Sequence, residues 1–433
     1  KFMQYYSLNK KAPKTSFEIA VRKGLAPDKG LYFPEKITPL DSSFLENLDK
    51  LSNIEIAFHA IKQFVGSEIP ESELKTIIKE TLNFEFPIVS IEDNISTLEL
   101  FHGPTMAFKD VGARFMARCL GYFNKNNNKE VTVLVATSGD TGGAVANGFL
   151  GVKGVKVVIL YPRGKVSNVQ EQQLTTLGQN ITTFEVEGTF DDCQDMVKKA
   201  FVDSDLTTKK ELTSANSINV ARWLPQMFYF MFAYKQLKQY NKPLVFSVPS
   251  GNFGNICAGM VAQKLGLPFP HFIASNNEND VVTRYLSSNK YTPLATIQTI
   301  SNAMDVGNPS NFIRIQALHN NDFQALKSNL SGYRFSDEET REAIDSIYKS
   351  TGYITDPHGA VGYLGCHHYL KLNPDVHTVF LETAHPTKFL DVVQPLVPEV
   401  IKLPPQIKAV MGRPKNTKSI VNYADFKANL LAL

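Results

Sequence analysis

Short apolar runs alternate with stretches of helical spacing from about residue 97 to residue 260. Three of these runs are nearly continuous, at residues 131–136, 155–161 and 244–248. Such runs are typical of parallel strands that are covered on both faces of a sheet. After residue 106, Val111 and Phe115 share one face of a predicted helix. Strands that alternate with helices predict an α/β protein with open, mostly parallel sheets and two lobes.

The first 96 residues follow a different pattern, in which short helical stretches alternate with turns. Leu74, Ile77 and Ile78 have helical spacing, which predicts a helix over residues 71–81. No motif in this part suggests chemistry. We therefore divide the chain into three predicted domains: an N-terminal domain (1–96), a small α/β lobe (97–240) and a large α/β lobe (241–433).

The composition narrows the choice of partners and compartment. The 433 residues carry a net charge of only +3, which argues against nucleic acid as the main partner. The four cysteines form no CxxC pair, so we expect a reducing, cytoplasmic environment. The aromatic run at residues 227–234 is too short to span a bilayer, and we expect no membrane partner. The histidines of "GCHHYL" (365–370) match no ligand spacing, so we expect no metal.

Two predicted strands end in glycine-rich turns that lead into helices, at residues 138–143 (SGDTGG) and 250–255 (SGNFGN). Glycines at such a turn let backbone N–H groups surround an anion at the positive end of the helix. The spacing fits neither the GxGxxG motif for dinucleotides nor the Gly-Lys-Ser/Thr loop for nucleoside triphosphates. Because the carboxyl ends of parallel strands share one edge of the sheet, we expect both turns in one cleft.

Lys109 follows Met106-Ala107-Phe108 directly, at the predicted start of a helix. The helix dipole and the apolar neighbours both disfavour the ammonium form and lower the pKa of the lysine. A partly neutral amine attacks carbonyl groups, as Schiff-base enzymes require. Taken alone, the segment also fits a surface lysine with a buried stem. A phosphate cup combined with an imine-forming lysine predicts the cofactor pyridoxal 5′-phosphate.

Five motifs follow one another along the chain: "HGPTMAFKDVG" (102–112), "ATSGDTGGA" (136–144), "TSANSINVAR" (213–222), "VPSGNFGN" (248–255) and "ETAHPTKF" (382–389). Together they resemble the threonine synthase family of pyridoxal-phosphate enzymes. The N-terminal "SFEIAVRKGLAPDKGLYFP" (16–34) is similar to the opening domain of that family. The resemblance covers nearly the whole chain. It implies the two-lobed fold type II of the tryptophan synthase β type, with an extra N-terminal domain.

The resemblance also implies how the cofactor is held. Lys109 would carry it as a Schiff base, and the Thr383 hydroxyl would reach the pyridine nitrogen. The cofactor phosphate would be held by the cup, which consists of Gly251, Asn252, Phe253, Gly254 and Asn255. Asp140 would lie on the O3′ side, where an ionised carboxylate is repelled, so we expect it to be protonated or turned away. Strand alternation points Glu382 away from Thr383, and we expect a surface or supporting carboxylate there.

The substrate of that family is O-phospho-L-homoserine, which reacts with water to give L-threonine and phosphate. By the resemblance, the hydroxyl donors for its α-carboxylate are Thr137, Ser138 and Thr141. Its phosphate is expected at Asn216, Ser217 and Arg222, where the guanidinium supplies a bidentate fork. Residues 308–314 (NPSNFIR) resemble a helix start with free N–H groups and form a further candidate anion site.

Two other functions stay open at this point. A serine/threonine dehydratase or a cysteine-synthase-like enzyme would share the cofactor but would not need Asn216, Ser217 and Arg222 together. A non-catalytic relative that binds a ligand or a protein would not need an imine-forming lysine. The sequence is compatible with a monomer or a homodimer.

The segment "DPHGAVG" (356–362) predicts a helix start. Asp356 is a typical N-cap residue, and proline is favoured at the first helical position. Gly359 and Gly362 would allow the helix to pack closely on its neighbours. We interpret this segment as structural and expect His358 at most to support the site.

Overall fold

The structure is a computed structural model, and it describes residues 2–433. At its N-terminus two short antiparallel strands, β1 (Tyr5–Ser7) and β2 (Tyr32–Pro34), combine with four helices. These are α1 (Phe17–Lys23), α2 (Ser42–Glu46), α3 (Asn53–Val65) and α4 (Glu71–Thr81). Helix α3 begins with a capping box, in which Ser52 and Glu55 satisfy each other's backbone N–H groups. The apolar faces of α3 and α4 join the main hydrophobic core.

The other strands follow in chain order as β3 (Ile88–Glu92), β4 (Ile95–Glu99), β5 (Val131–Ala136), β6 (Val155–Pro162), β7 (Ile181–Val186), β8 (Glu211–Ser214), β9 (Leu244–Pro249), β10 (His271–Asn276), β11 (Leu330–Arg334), β12 (His377–Glu382) and β13 (Lys418–Ile420). They form a six-stranded sheet in the order β11-β10-β9-β12-β4-β3 and a five-stranded sheet in the order β13-β7-β6-β5-β8. All neighbouring pairs are parallel except β3–β4. The predicted α/β class with mostly parallel sheets is confirmed.

Helices connect the strands and cover both sheets. They are α5 (Lys109–Asn124), α6 (Asp140–Phe149), α7 (Asn168–Thr175), α8 (Phe190–Val202), α9 (Ser204–Thr207), α10 (Val220–Trp223), α11 (Met227–Leu237), α12 (Gly254–Lys264), α13 (Val281–Ser288), α14 (Phe312–Leu318), α15 (Phe323–Asn329), α16 (Asp337–Thr351), α17 (Pro357–Leu370), α18 (Leu390–Val393), α19 (Pro405–Lys408) and α20 (Tyr423–Ala432). Within residues 2–433, no helix is both long enough and apolar enough to cross a membrane.

The predicted positions of strands and helices agree with the structure better than the predicted assignment of the strands to the two lobes. Strand β5 and helix α4 have the predicted bounds. However, β4 pairs with β12 in the six-stranded sheet, and β13 pairs with β7 in the five-stranded sheet. Apolar periodicity locates strands but carries little information on which strands pair. The sheets therefore do not divide at residues 96 and 240, and the domain limits themselves stay a prediction.

Helix α17 lies on the six-stranded sheet through a stripe of glycines, as the sequence predicted. A Cβ atom at Gly359 would be 1.8 Å from Glu382 Oε2, and one at Gly365 would be 2.0 Å from Ser275 Oγ. The Ser275 hydroxyl is buried and lies 2.7 Å from the Ser247 hydroxyl. This close approach places the N-terminus of α17 at the carboxyl edge of the sheet.

We predict that Gly365→Ala lowers the free energy of unfolding by about 1–3 kcal/mol, because the methyl group overpacks this contact. Gly121→Ala is the matched control, because a Cβ there would meet only Val152 Cγ1 at 3.5 Å. Alanine in a helix interior is favoured over glycine by roughly 0.5–1 kcal/mol, so the control should be neutral or stabilising. Urea unfolding of both variants checks this; equal midpoints would contradict the packing argument.

Candidate active site

A cavity lies where the carboxyl ends of the strands of both sheets face each other. Most of the residues that line it come from the predicted motifs: Lys109, Thr141, Asn216, Ser217, Arg222, Gly251, Asn252, Phe253, Gly254, Asn255 and Thr383. Other lining residues were not predicted: Phe108, Gln226, Pro249, Ala303, Met304 and His358. Three predicted site residues, Thr137, Ser138 and Asp140, do not line it.

Lys109 is the first residue of α5, as predicted. The segment before it is fixed to the end of β12, since Phe108 N–H donates to Thr383 O at 2.8 Å and His385 N–H donates to Met106 O at 3.1 Å. Met106 has a φ of 57°, a left-handed conformation that strains a non-glycine residue. This backbone carries the lysine to the edge of the cavity.

The Lys109 amine has an unusually low proton affinity. Burial lowers its pKa from 10.5 to about 8; the negative charge of Asp140 partly opposes this effect, and the positive charges of Arg222 and Lys388 add to it. The ammonium group therefore loses its proton only slightly above neutral pH. Such an amine can act both as a nucleophile for an aldehyde and as a base.

The cup at the start of α12 has the properties of a phosphate site. Within residues 2–433, none of the backbone N–H groups of residues 251–255 donates to a protein atom. Phe253 adopts a left-handed conformation, with a φ of 64°. A Cβ at Gly251 would be 2.9 Å from both Ala303 O and Met304 Cα. A concave row of unpaired N–H groups at the positive end of an 11-residue helix fits a phosphate dianion.

Of the two predicted states of Asp140, the structure argues against the protonated one, whereas a side chain turned away agrees with its position outside the cavity lining. Burial raises its pKa, but the positive charges of Lys388 and Lys109 outweigh burial, so the net pKa lies below its usual range. Lys388 Nζ is 2.6 Å from Asp140 Oδ1, and both side chains are buried. Gln170 Nε2 donates to the same oxygen at 3.2 Å. The expected repulsion does not arise because Lys388 balances the charge.

The loop before α6 is held by one of the predicted hydroxyl groups. Thr137 Oγ1 accepts hydrogen bonds from Gly139 N–H at 2.9 Å and from Gly142 N–H at 2.8 Å. Gly139 has a φ of 141°, and a Cβ there would collide with Gln170. In the structure, Thr137 therefore shapes the loop, and Thr141 reaches the cavity.

Arg222 lines the same cavity as the cup. Its Nη1 donates to Ala215 O, whereas its Nε is buried and has no partner within residues 2–433. Burial lowers the pKa of the guanidinium to about 10. A Cβ at Gly112 would be 2.6 Å from Arg222 O, so a glycine in α5 is what allows this close approach. A buried guanidinium with an unused donor fits an anionic ligand.

Asn216 and Ser217 are held in place beside Arg222. The Asn216 amide donates to Ala136 O at 2.8 Å and accepts from Ala136 N–H at 3.3 Å, which fixes it to the end of β5. The Ser217 hydroxyl accepts from Asn311 Nδ2 at 2.9 Å. The segment is thus preformed rather than dependent on a ligand for its shape.

Residues 308–314 brace the site, and Arg314 does not form the expected anion site. Its guanidinium donates to three backbone carbonyls, those of Tyr32, Ser217 and Ile218. It also donates to Asn311 Oδ1 at 2.8 Å and lies over the Trp223 ring. These partners use the donors that an anion would need.

Thr383 faces the cavity, and Glu382 points away from it, as strand alternation predicted. Glu382 is not on the surface, however, because it is completely buried beneath α17. It accepts from Thr355 Oγ1 at 2.6 Å and from Asp356 N–H at 2.7 Å. Burial and the nearby Asp356 charge raise the pKa of Glu382 well above its usual range. The side chain therefore supports the start of α17 and does not reach the cavity.

The residues that sequence reasoning missed fall into two groups. Lys388 and His358 lie within segments that had been singled out, "ETAHPTKF" and "DPHGAVG", so a signal was present. Gln226, Ala303 and Met304 carry no motif, and only tertiary packing brings them to the cavity. No group of three or more metal-ligating side chains is found in the described part of the chain.

An amine at a helix start, a cup of unpaired amides and a hydroxyl on the adjoining strand together define a pyridoxal-phosphate-dependent enzyme. The sequence profile of the family described as "Pyridoxal-phosphate dependent enzyme" matches residues 96–383. Profiles described as "Threonine synthase N terminus" and "Threonine synthase, C-terminal" match residues 4–82 and 359–428. The chain belongs to the threonine synthase family, and its cofactor is pyridoxal 5′-phosphate.

Individual threonine synthases are similar to this chain over nearly its full length. The threonine synthase of Buchnera aphidicola subsp. Baizongia pistaciae is 44% identical over 408 residues, or 94% of each chain. The crystal structure of threonine synthase from Escherichia coli superposes with a TM-score of 0.94 at 40% identity, covering 99% of this chain and 100% of that chain. The pyridoxal-phosphate-bound threonine synthase from Brucella melitensis gives a TM-score of 0.91 at 34% identity, with 99% and 98% coverage. The predicted family and two-lobed fold are confirmed.

We predict that Lys388→Met destabilises the cofactor-free protein by about 3–5 kcal/mol, because it leaves the buried Asp140 carboxylate without its partner. The double variant Lys388→Met/Asp140→Asn removes both charges and should regain most of that loss. Chemical unfolding of the single and double variants measures the difference. Equal stability of K388M and the double variant would show that the ion pair contributes nothing.

We predict that Lys109 in the cofactor-free protein reacts with an amine-specific acylating reagent with a pH midpoint near 8. Asp140→Asn removes a negative charge and should lower this midpoint, whereas Arg222→Met removes a positive charge and should raise it. Mass spectrometry of the peptide that contains Lys109, after labelling at a series of pH values, gives the midpoints. A midpoint near 10.5 in the unaltered protein would contradict the effect of burial.

Proposed function

We propose that this enzyme converts O-phospho-L-homoserine and water to L-threonine and phosphate. The observation that carries the proposal is that one cavity holds the Lys109 amine and two separate anion sites. One anion site is the cup at residues 251–255, and the other is the Arg222 guanidinium, which lines the cavity and keeps a donor without a partner within residues 2–433. A phosphorylated cofactor acting on a phosphorylated substrate needs two such sites.

We assign the cofactor phosphate to the cup, the cofactor aldehyde to the Lys109 amine and the pyridine nitrogen to the Thr383 hydroxyl. When bound, the cofactor supplies an electron sink for negative charge at the substrate Cα. A hydroxyl does not keep a proton on the ring nitrogen as a carboxylate would. With Thr383 as the partner of that nitrogen, the cofactor therefore withdraws electrons from Cα less strongly. The neighbouring Glu382 does not change this, because it lies beneath α17.

Lys109 moves the protons. The amine takes a proton from the substrate Cα, and a proton is later returned there. With a pKa of about 8, both forms of the amine are populated near neutral pH, which suits repeated transfer in both directions. A second proton leaves Cβ before the phosphate departs. Lys109 lies within the same cavity and is the base that we assign to both steps.

Arg222, Asn216 and Ser217 hold the substrate phosphate in this proposal. The C–O bond at Cγ breaks, and the electron pair leaves with the phosphate. The guanidinium stabilises the growing charge on the leaving group. A proton is then added at Cγ, which becomes the methyl group of threonine. Water adds its oxygen at Cβ and releases one proton, which gives the hydroxyl of threonine. We assign the substrate α-carboxylate to Thr141, and to Thr137 and Ser138 in the adjoining loop.

Enzymes that eliminate or replace a group at Cβ, such as serine/threonine dehydratases or cysteine synthases, remain the alternative chemistry. Their substrates carry no phosphate and would leave the Arg222 donor without a partner. Phosphate release from O-phospho-L-homoserine, compared with ammonia release from L-serine and L-threonine, separates the two functions. Release of ammonia without release of phosphate would refute the proposal.

We predict that Lys109→Ala abolishes turnover. We also predict that Arg222→Met lowers kcat/KM for O-phospho-L-homoserine by about 10²-fold or more, because the negative charge on the leaving phosphate loses the guanidinium donor. Arg222→Lys should recover only part of this loss, since lysine has no planar fork. Arg163→Met is the control, because Arg163 is exposed and pairs with Glu187 on the surface. Steady-state phosphate release measures all four variants; an unchanged kcat/KM for R222M would contradict the assignment.

We further propose that the enzyme works in the cytoplasm as a monomer or a homodimer, without nucleic acid or membrane as a partner. Cys119, Cys193, Cys257 and Cys366 are free and buried, which fits a reducing compartment. Sedimentation of the purified enzyme decides between the two oligomeric states.

A further inference from the structure

His358 lies at the first turn of α17 and forms a buried pair with the N-cap residue of that helix. Its Nδ1 is 2.5 Å from Asp356 Oδ2, and the two side chains are 2% and 0% exposed. The Asp356 carboxylate also caps the helix, since it accepts from His358 N–H at 3.1 Å and from Gly359 N–H at 2.8 Å. The position of the carboxylate is therefore set by the helix, and the imidazole is oriented against it.

The other ring nitrogen, Nε2, contacts the turn at residues 302–304. His358 Nε2 accepts from Ala303 N–H at 3.1 Å. A backbone N–H can only donate, so Nε2 must carry a lone pair and the ring proton must be on Nδ1. That proton points to Asp356, which accepts it. The two contacts together fix a single neutral tautomer of the histidine.

The turn at residues 302–304 forms part of the wall beside the phosphate cup. Ala303 and Met304 line the cavity, and their backbone leaves no room for a Cβ at Gly251. From the same turn, Asn302 Nδ2 donates to Gln170 Oε1 at 3.4 Å, and Gln170 in turn donates to Asp140. The turn thus touches the cup on one side and is linked to the start of α6 through Gln170 on the other.

We propose that His358 is a positioning residue of the cofactor site: its Nε2 lone pair holds the 302–304 turn against the cup, and Asp356 keeps that lone pair available. The proposal rests on the proposed function only in taking the cup as the seat of the cofactor phosphate. The hydrogen bond from Ala303 is a property of the protein alone and can be measured without the cofactor.

Three variants separate this role from simple packing. His358→Phe keeps an aromatic ring but cannot accept from Ala303. Asp356→Asn keeps the cap from Gly359 N–H, because its carbonyl oxygen can replace Oδ1, but its NH2 group replaces Oδ2, donates to Nδ1 and forces the proton onto Nε2. His358→Gln restores a carbonyl acceptor without the ring. His368→Phe is the control, because His368 lies on the same helix but is exposed.

The first measurement is hydrogen–deuterium exchange of the peptide covering residues 299–306 in the cofactor-free protein. Loss of one buried hydrogen bond, worth about 1 kcal/mol, should speed exchange of the Ala303 amide by roughly five- to tenfold in H358F and D356N. In H358Q, the exchange rate of the Ala303 amide should be close to that of the unaltered protein. In H368F, the rate should be the same as in the unaltered protein. The second measurement is titration of each cofactor-free protein with pyridoxal 5′-phosphate, where the same order of variants is expected in Kd.

Unchanged exchange in D356N, which retains the ring and the cap from Gly359 N–H, would overturn the proposal. Equal effects of H358F and H358Q would also overturn it, because they would show that the ring matters by its volume and not as an acceptor. Should H358F fail to fold, D356N and H358Q still decide the question. The exchange result does not depend on turnover, so it stands or fails separately from the proposed reaction.

Discussion

The balance of buried charge around Lys109 is the constraint on which the site depends. Lys109 and Arg222 line the cavity, and Lys388 is paired beside it with the buried Asp140. The charges that act on Lys109 are the negative charge of Asp140 and the positive charges of Arg222 and Lys388. Two positive charges and one negative charge therefore act on this buried amine. Such an excess disfavours the ammonium form of Lys109 and favours anions, which the phosphates of a cofactor and a substrate provide.

The three most buried cations differ in what they contact, and the difference separates structural from functional roles. Lys388 is paired with a carboxylate and also donates to Thr105 O at 3.0 Å. Arg314 uses its donors on backbone carbonyls and on Asn311. Arg222 lines the cavity, and its buried Nε has no hydrogen-bond partner within residues 2–433. Burial alone would have assigned all three residues the same role; only the unsatisfied donor points to a ligand.

The sequence predicted the parts of the site that depend on local backbone. The strand at residues 131–136, the helix start at Lys109 and the cup at residues 251–255 each follow from neighbouring residues. The roles of Asp140 and residues 308–314 could not be predicted in the same way. Asp140 is ionised because of a lysine 248 positions away, and Arg314 is occupied by carbonyls from distant segments. Long-range pairing of this kind has no periodicity that a single sequence displays.

The attachment of the lysine segment to β12 has a mechanical consequence. Phe108 N–H and Thr383 O are joined by a hydrogen bond, and β12 lies beside β9, which leads into the cup. The coenzyme's lysine is thus tied to the sheet that also carries the phosphate cup, while Asn216 and Thr141 extend from the ends of the other sheet. The distance between the lysine and the cup is therefore set by paired strands and backbone hydrogen bonds, and not by the coenzyme.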